Sequence, residues 1–313
     1  MKRALITGAS GFVGQYLISN LLNNGYEVWG GTRSSSPSFI KGLNVVPIDF
    51  SNYESVKSAL LNISPDVIFH LSGQSSVKYS WDHVSETFSS NVMETIILLD
   101  AVKNSSLIGK VKLISIGSSE EYGVGADLPI KETSDTNPMN PYGVSKLAIA
   151  KLAMNYSASY GMNIIHARPF NHIGPGQKLG FVTSDFAKQI VDIENGKGEP
   201  KIHVGDLSSK RDFTDVRDIV EGYRLLFEKG ESTEIYNICS GICTSIEQIL
   251  TTLVSFSNKN IEVIVDPGKF RPSNVHEYYG SSKKLENLTG WKPKISLDES
   301  LLDIYNYWLN MRG

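Results

Sequence analysis

No stretch of the sequence stays apolar for the length that a bilayer crossing needs, so a helical membrane protein is excluded. The first residues make a poor secretory leader. Lys2 and Arg3 are basic, but the apolar stretch after them breaks at Gly8, too soon for a leader's hydrophobic core. A cytoplasmic protein is expected. Charge of one sign is also missing: 30 Lys and Arg against 33 Asp and Glu leave a net charge of −3. That is too little to wrap nucleic acid or to dock on an anionic membrane, so neither partner is expected. Cysteine is scarce. Cys239 and Cys243 have no second Cys or His pair beside them, and two reduced thiols are expected rather than zinc or a redox couple. His70, His166 and His172 are each solitary, so no metal site is expected.

What is present reads as globular: 41% of the residues are hydrophobic and 20% charged, in 313 residues, enough chain for one large domain or two smaller ones. Short β-branched runs (Ala4–Ile6, Glu27–Trp29, Val45–Ile48, Val67–Leu71, Lys112–Ile116, Asn163–Ala167) alternate with amphipathic stretches at Phe12–Asn24, Tyr53–Leu61, Val84–Lys103 and Tyr142–Tyr160. Alternation of this kind predicts βαβ units, hence an α/β, Rossmann-like doubly wound parallel sheet. After Arg168-Pro169 the rhythm loosens and Gly and Pro cluster, with helices expected near 183–194, 215–229, 245–256 and 297–311. The division predicted is a dinucleotide-binding domain over 1–168, to which 214–241 returns, and a smaller substrate-binding lobe from 169–213 and 242–313.

Gly8-Ala9-Ser10-Gly11-Phe12-Val13-Gly14 follows the first predicted strand and opens the first helix. Glycines there let the chain turn sharply and let a pyrophosphate approach the free N–H groups of the helix start. Cofactor choice should be readable at the end of the second strand, where an acidic residue would grip the ribose 2′-OH of NAD. Thr32 and Arg33 stand there instead, and a guanidinium favours the 2′-phosphate of NADP. NADPH is therefore expected, with NADH as the alternative.

Tyr142 and Lys146 are four apart, which puts both on one helix face. A free phenol has a pKa of about 10. A neighbouring ammonium, together with the positive charge of an oxidised nicotinamide, is expected to pull it down and so to make Tyr142 a usable acid or base. The fifth strand ends in Ser118-Ser119-Glu120-Glu121-Tyr122-Gly123, where a serine hydroxyl could polarise a substrate carbonyl.

With the glycine turn, Ser118, the Tyr142/Lys146 pair, Arg168–Gln177, Lys210–Asp218 and Arg271-Pro272-Ser273 in this order, the chain resembles the extended short-chain dehydrogenase/reductases that act on nucleotide sugars. The resemblance implies a reduction in which NADPH or NADH serves a GDP-linked keto-deoxysugar, GDP-4-dehydro-6-deoxy-D-mannose, and its C4 ketone becomes an alcohol. It implies Ser118, Tyr142 and Lys146 as the catalytic trio. It implies Asp49, Phe50, Leu71, Ser72, Gly73 and Phe170 beside the cofactor, and Ser76, Ser119, Glu120 and Asn171 beside the sugar. Arg211 and Arg271 would clamp the diphosphate or ribose, with Pro272, Ser273 and Asn274 in the same loop; Asn274-Val275-His276 departs from the expected acid and proline. Glu120 stands where the related 4,6-dehydratases keep a base, so a GDP-sugar dehydratase is the rival. An epimerase or a non-catalytic dinucleotide sensor are further readings. In this family the helices matching Val84–Lys103 and Tyr142–Tyr160 pair across a two-fold axis, which implies a homodimer.

Overall fold

The apolar runs become a parallel sheet in the computed structural model, which describes residues 1–32, 40–266, 268 and 276–311. The first half runs β1 (Arg3–Thr7), α1 (Phe12–Asn23), β2 (Glu27–Thr32), β3 (Leu43–Pro47), α2 (Tyr53–Ile63), β4 (Val67–His70), α3 (Val77–Asp82), α4 (Val84–Phe88), a π-helical turn (Ser89–Met93), α5 (Glu94–Lys103), β5 (Lys112–Ile116), a 3₁₀ turn (Ser119–Glu121), α6 (Pro141–Tyr160) and β6 (Asn163–Pro169). The second half continues with β7 (Asn171–Ile173), α7 (Val182–Glu194), β8 (Lys201–Val204), β9 (Lys210–Asp215), α8 (Val216–Lys229), β10 (Ile235–Ile238), β11 (Cys243–Ser245), α9 (Ile246–Ser255), β12 (Glu262–Val265), β13 (Glu277–Tyr278), α10 (Lys283–Thr289) and α11 (Leu297–Asn310).

Seven strands form one sheet in the order β10-β6-β5-β4-β1-β2-β3, with every pairing parallel. The strands read as continuous apolar runs because helices cover both faces; all four residues of β4 are buried. On one face α1 and α8 pack through Leu17, Leu21, Ile219 and Tyr223. On the other, α2, α5 and α6 pack through Leu60, Leu98 and Ala153. Each fully buried leucine there contributes about 1.5–3 kcal/mol of transfer free energy. β10, from the second half of the chain, hydrogen-bonds along β6 with Ile235 opposite His166.

The helix starts are chemically marked. Asn52 caps α2 by accepting from Glu54 N and Ser55 N, and Asn140 caps α6 by accepting from Gly143 N at 2.8 Å, with Pro141 at the first helical position. Gly161, at φ 66°, ends α6. The stretch expected as one helix over Val84–Lys103 is helical throughout, with its middle, Ser89–Met93, widened into a π turn. The widened turn presents Asn91 inward, where its Oδ1 accepts from Gln74 N (2.7 Å) and its Nδ2 donates to Ser145 Oγ (2.9 Å).

The remaining strands build two small sheets. β9 pairs with β11, β13 and β7, and β8 pairs with β12, over a separate core that includes Ile190, Leu250 and Ile304 from α7, α9 and α11. In the main sheet the strand order reverses between β1 and β4, so a crevice opens above their carboxyl ends. Among the described residues, no helix is long and apolar enough to cross a membrane.

Candidate active site

The crevice is floored by the turn between β1 and α1. Gly8 has φ +67°, and a side chain there would stand 2.9 Å from Ser72 N, so the turn lies flush against the loop that follows β4. At Gly14 a Cβ would come within 2.6 Å of Gly8 O and 2.7 Å of Ala9 O, so α1 can start this close to its own turn only with glycine there. Ser10 and Gly11 are exposed, Phe12 and Val13 half-buried, and no side chain caps α1. The helix therefore offers main-chain N–H groups and the positive end of its dipole at the crevice, a cradle that fits a dinucleotide pyrophosphate. Thr32 ends β2, and its carbonyl accepts from Ile48 N. Arg33 lies outside the described residues. Asp49 is exposed; its Oδ1 accepts from Ser51 N and Oγ, which hold the carboxyl below the usual range. Phe50 is buried against His70, with ring centroids 5.8 Å apart. Leu71, Ser72 and Gly73 follow β4, and Ser72 N donates to Thr7 Oγ1. Phe170, also assigned to the cofactor by sequence, follows β6 with its ring packed against Tyr122, Ile130, Cys239 and Tyr278.

Beyond β5, Ser118 caps the 3₁₀ turn, its Oγ accepting from Glu120 N at 3.2 Å. The start of α6 is tied to that turn because Asn140 Nδ2 donates to Glu120 Oε2 (2.7 Å), while Tyr142 N donates to Ser80 Oγ (3.2 Å). Lys146, one turn along, reaches back to donate to Ile116 O at 2.9 Å, and its Nζ lies 5.8 Å from the centre of the Tyr142 ring. Ser118, Tyr142, Lys146 and Glu120 thus gather at the carboxyl end of β5, beside the glycine crevice.

The chain's own groups do not produce the expected lowering at Tyr142: burial pushes the phenol up, Glu120 and Glu121 add to the rise, and the Ser118 hydroxyl acts against them. The lysine is the group that is pulled, down to about 8, because its ammonium is desolvated with Glu121 alone opposing the loss of charge. His70 is pushed down to about 3 by burial and by Lys146, and stays neutral between Thr7 Oγ1 (2.8 Å) and Thr95 Oγ1 (3.0 Å). What the arrangement offers at neutral pH is a protonated phenol with a hydroxyl beside it. That is a proton donor with an oxyanion partner.

On the substrate side, Ser76 caps α3 by accepting from Tyr79 N, and the Ser119 carbonyl accepts from the Tyr278 hydroxyl. Asn171 is exposed at the start of β7, opposite Phe213. Arg211 donates to Lys210 O at 2.8 Å, and the Glu120 charge helps to hold its guanidinium charged against burial. Arg271, Pro272, Ser273 and Asn274 lie outside the described residues. Asn140, Asn91, Ser80, Glu121 and Tyr278 escaped the sequence reading. Asn140 carried a readable signal, a cap residue directly before a proline; a lone Asn inside an apparent helix did not. Among the described residues, no three His, Cys, Asp or Glu side chains gather as a metal site would require.

A sequence profile of the GDP-mannose 4,6 dehydratase family matches residues 5–304. The chain is 34% identical to GDP-6-deoxy-D-mannose reductase of Pseudomonas aeruginosa, over 98% of this chain and 97% of the relative. It is 30% identical to human GDP-mannose 4,6 dehydratase, over 95% of this chain and 88% of the relative. Among solved structures it superposes on RMD from Pseudomonas aeruginosa complexed with NADPH with a TM-score of 0.87 at 32% identity, covering 99% of both chains. UDP-glucose 4-epimerase from Thermotoga maritima gives a TM-score of 0.89 at 26% identity, covering 99% of this chain and 100% of that one.

Proposed function

The chain belongs to the GDP-mannose 4,6 dehydratase family, and from that membership and the geometry at β5 we propose that it reduces the C4 ketone of GDP-4-dehydro-6-deoxy-D-mannose to give GDP-D-rhamnose, with NADPH as the preferred donor and NADH as the alternative. The observation that carries it is geometric: hydrogen bonds at Asn140, Ser80 and Ile116 O seat Tyr142 and Lys146 at the carboxyl end of β5 with Ser118, next to the open start of α1. A phenol and a hydroxyl placed there suit a carbonyl oxygen that must be polarised and protonated.

Gly8, Gly11 and Gly14 with the free start of α1 would hold the dinucleotide pyrophosphate, and Thr32 with Arg33 would lie at its adenosine ribose. When bound, the reduced nicotinamide supplies the hydride. Ser118 Oγ–H polarises the C4 carbonyl, whose electron pair moves onto oxygen as the carbon becomes an alcohol carbon. Tyr142 O–H gives that oxygen its proton. Lys146, held by Ile116 O, would hold the ribose side of the site. Asn140 keeps Glu120 against the start of α6, and Arg211 is the diphosphate clamp.

Glu120 carries the rival reading, a dehydratase. Its Oε2 is already engaged by the Asn140 amide and its charge acts on Arg211, an arrangement that suits contact with sugar hydroxyls better than proton abstraction. The cytoplasmic homodimer belongs to the same proposal. Exposed Trp81, Val84, Met93 and Val144 on the α3–α6 face support it.

The test mixes the protein with GDP-4-dehydro-6-deoxy-D-mannose and NADPH or NADH and follows loss of the reduced-nicotinamide absorbance. A parallel arm offers GDP-mannose with the oxidised cofactor. Consumption in the first arm, with product identified by proton NMR, supports the reductase. No consumption, together with a keto sugar formed in the second arm and lost in Glu120→Gln, makes the protein a dehydratase.

A further inference from the structure

Directly behind Ser118 lies a buried ionic group that the proposed reduction does not use. Glu121 is fully buried, and its carboxylate accepts from Ser118 N (2.9 Å), contacts His166 Nε2 (2.9 Å) and accepts from Arg168 Nε (2.7 Å). His166 and Arg168 sit on β6, the neighbour of β5, and the other imidazole nitrogen lies 3.2 Å from Ser115 Oγ. The meeting depends on Gly117. A Cβ there would stand 2.1 Å from Glu121 Oε1 and 2.2 Å from His166 Nε2, so any side chain would force the carboxylate and the imidazole away.

A buried ion pair of this kind is weak evidence of stabilisation. Desolvation offsets most of its Coulombic gain, and apolar residues of the same volume often hold a fold as well. Its placement suggests a different role. We propose that Glu121 is a positioning residue for the reduction: locked by His166 and Arg168, it fixes the Ser118 main chain and sets a permanent negative charge behind the Tyr142–Lys146 pair.

The charge is felt at both groups, favouring the protonated phenol and the protonated ammonium. Other groups face the pair from the elements around it. Glu120 on the 3₁₀ turn acts on Tyr142 in the same direction, the Ser118 hydroxyl acts against it, His70 at the end of β4 faces Lys146, and Tyr223 of α8 faces Tyr142. Glu121 alone raises Lys146 against its desolvation. The proposal rests on the reductase reading only where Tyr142 is the proton donor; the field at Lys146 exists whatever the reaction.

The experiment uses the full chain with ¹³C-labelled lysine and two variants, Glu121→Gln and the double Glu121→Leu/Arg168→Leu, which leaves no buried charge unpaired. The Lys146 resonance, assigned through Lys146→Arg, is titrated by NMR without substrate, and kcat is measured against pH. In Glu121→Gln the Lys146 midpoint and the alkaline limb of kcat are expected to move about one pH unit lower, the direction that loss of a nearby negative charge dictates; the double variant, which also loses the Arg168 cation, moves both the same way by less. The shift in Glu121→Gln lowers kcat about twofold at about pH 7 and about tenfold at about pH 9, while dinucleotide affinity stays within about twofold.

A folded variant whose Lys146 midpoint stays at the wild-type value overturns the proposal and leaves the network a packing device. If Glu121→Gln fails to fold, the double variant gives the reading, and failure of both to fold likewise overturns it. A shifted midpoint in a protein that reduces nothing keeps Glu121 in this role and rejects the reductase.

Discussion

Replacing Tyr142 by Phe removes one oxygen from a ring that is almost completely buried and otherwise leaves its packing intact. Its main-chain N–H still donates to Ser80, and its neighbour Lys146 still donates to Ile116 O. The folded state loses only the hydroxyl that faces Ser118, worth about 0.5–1.5 kcal/mol. The reaction loses its proton donor, and a positioned general acid contributes about 10²–10⁴ in rate, or roughly 3–5 kcal/mol of barrier. Initial rates of reduced-nicotinamide consumption should therefore show kcat down by about that factor. KM for the sugar should change by less than about threefold, because the lost interaction strengthens only as charge develops on the oxygen. Dinucleotide binding, followed by fluorescence, should be unaffected. Of the Tyr142–Lys146 pair, the lysine loses its proton first as pH rises, at about 8, with the phenol following only at higher pH, so activity should decline above pH 8. A folded Tyr142→Phe protein that keeps kcat within about threefold of wild type would refute the reasoning and point to water or Glu120 as the donor.

Gly8→Ala puts a Cβ 2.9 Å from Ser72 N at φ +67°; about 1–3 kcal/mol of stability and most of the dinucleotide affinity should be lost, read by thermal unfolding and by fluorescence titration. His70 titrates at about 3 when folded and near 6.5 when unfolded. The unfolded chain therefore binds the extra proton between those values, and stability should fall on acidification through that window by up to about 1.4 kcal/mol per pH unit. Urea melts of wild type and His70→Gln at pH 7 and pH 5 check this, the variant showing the shallower slope. Asn91→Ala leaves Gln74 N and Ser145 Oγ without their partner and should cost about 1–3 kcal/mol. A denaturant midpoint at the wild-type value would show that the π turn is not needed to hold the Gly73–Gln74 loop.

The features legible in the sequence were local. The alternation of apolar runs with amphipathic stretches gives the doubly wound sheet, because strand and helix periodicities are properties of neighbouring residues. The glycine turn and the four-residue spacing of Tyr142 and Lys146 are local in the same sense. What stayed hidden depends on pairings across the sheet. Glu121 meets His166 and Arg168 only because β5 and β6 lie in register with Ser115 opposite His166, and nothing in either segment announces the other. The electrostatics at Tyr142 are hidden for a related reason: spacing brings Lys146 near, but burial sets the sign of what the chain's own groups do to the phenol, and burial is a property of the assembled α6 face. The π turn left no mark either, since it adds a residue to a helix without changing composition. The paired strands β7, β11 and β13 are too short, two or three residues, to build a periodic pattern, and β9, Lys210–Asp215, is mostly charged and so lacks an apolar run.

The seventh strand of the main sheet has a consequence for synthesis on the ribosome. β10 begins at Ile235, far downstream of Pro169, where β6 ends. At translation speeds of about 5–20 residues per second, the Rossmann half emerges with the outer edge of β6 open for several seconds. A nascent chain in that state presents a row of unpaired, apolar-flanked backbone groups to any strand nearby, including those of neighbouring nascent copies. Slow codons placed after β6 would lengthen that exposure, and moving them past β10 would shorten it; the yield of unaggregated protein is the quantity to compare.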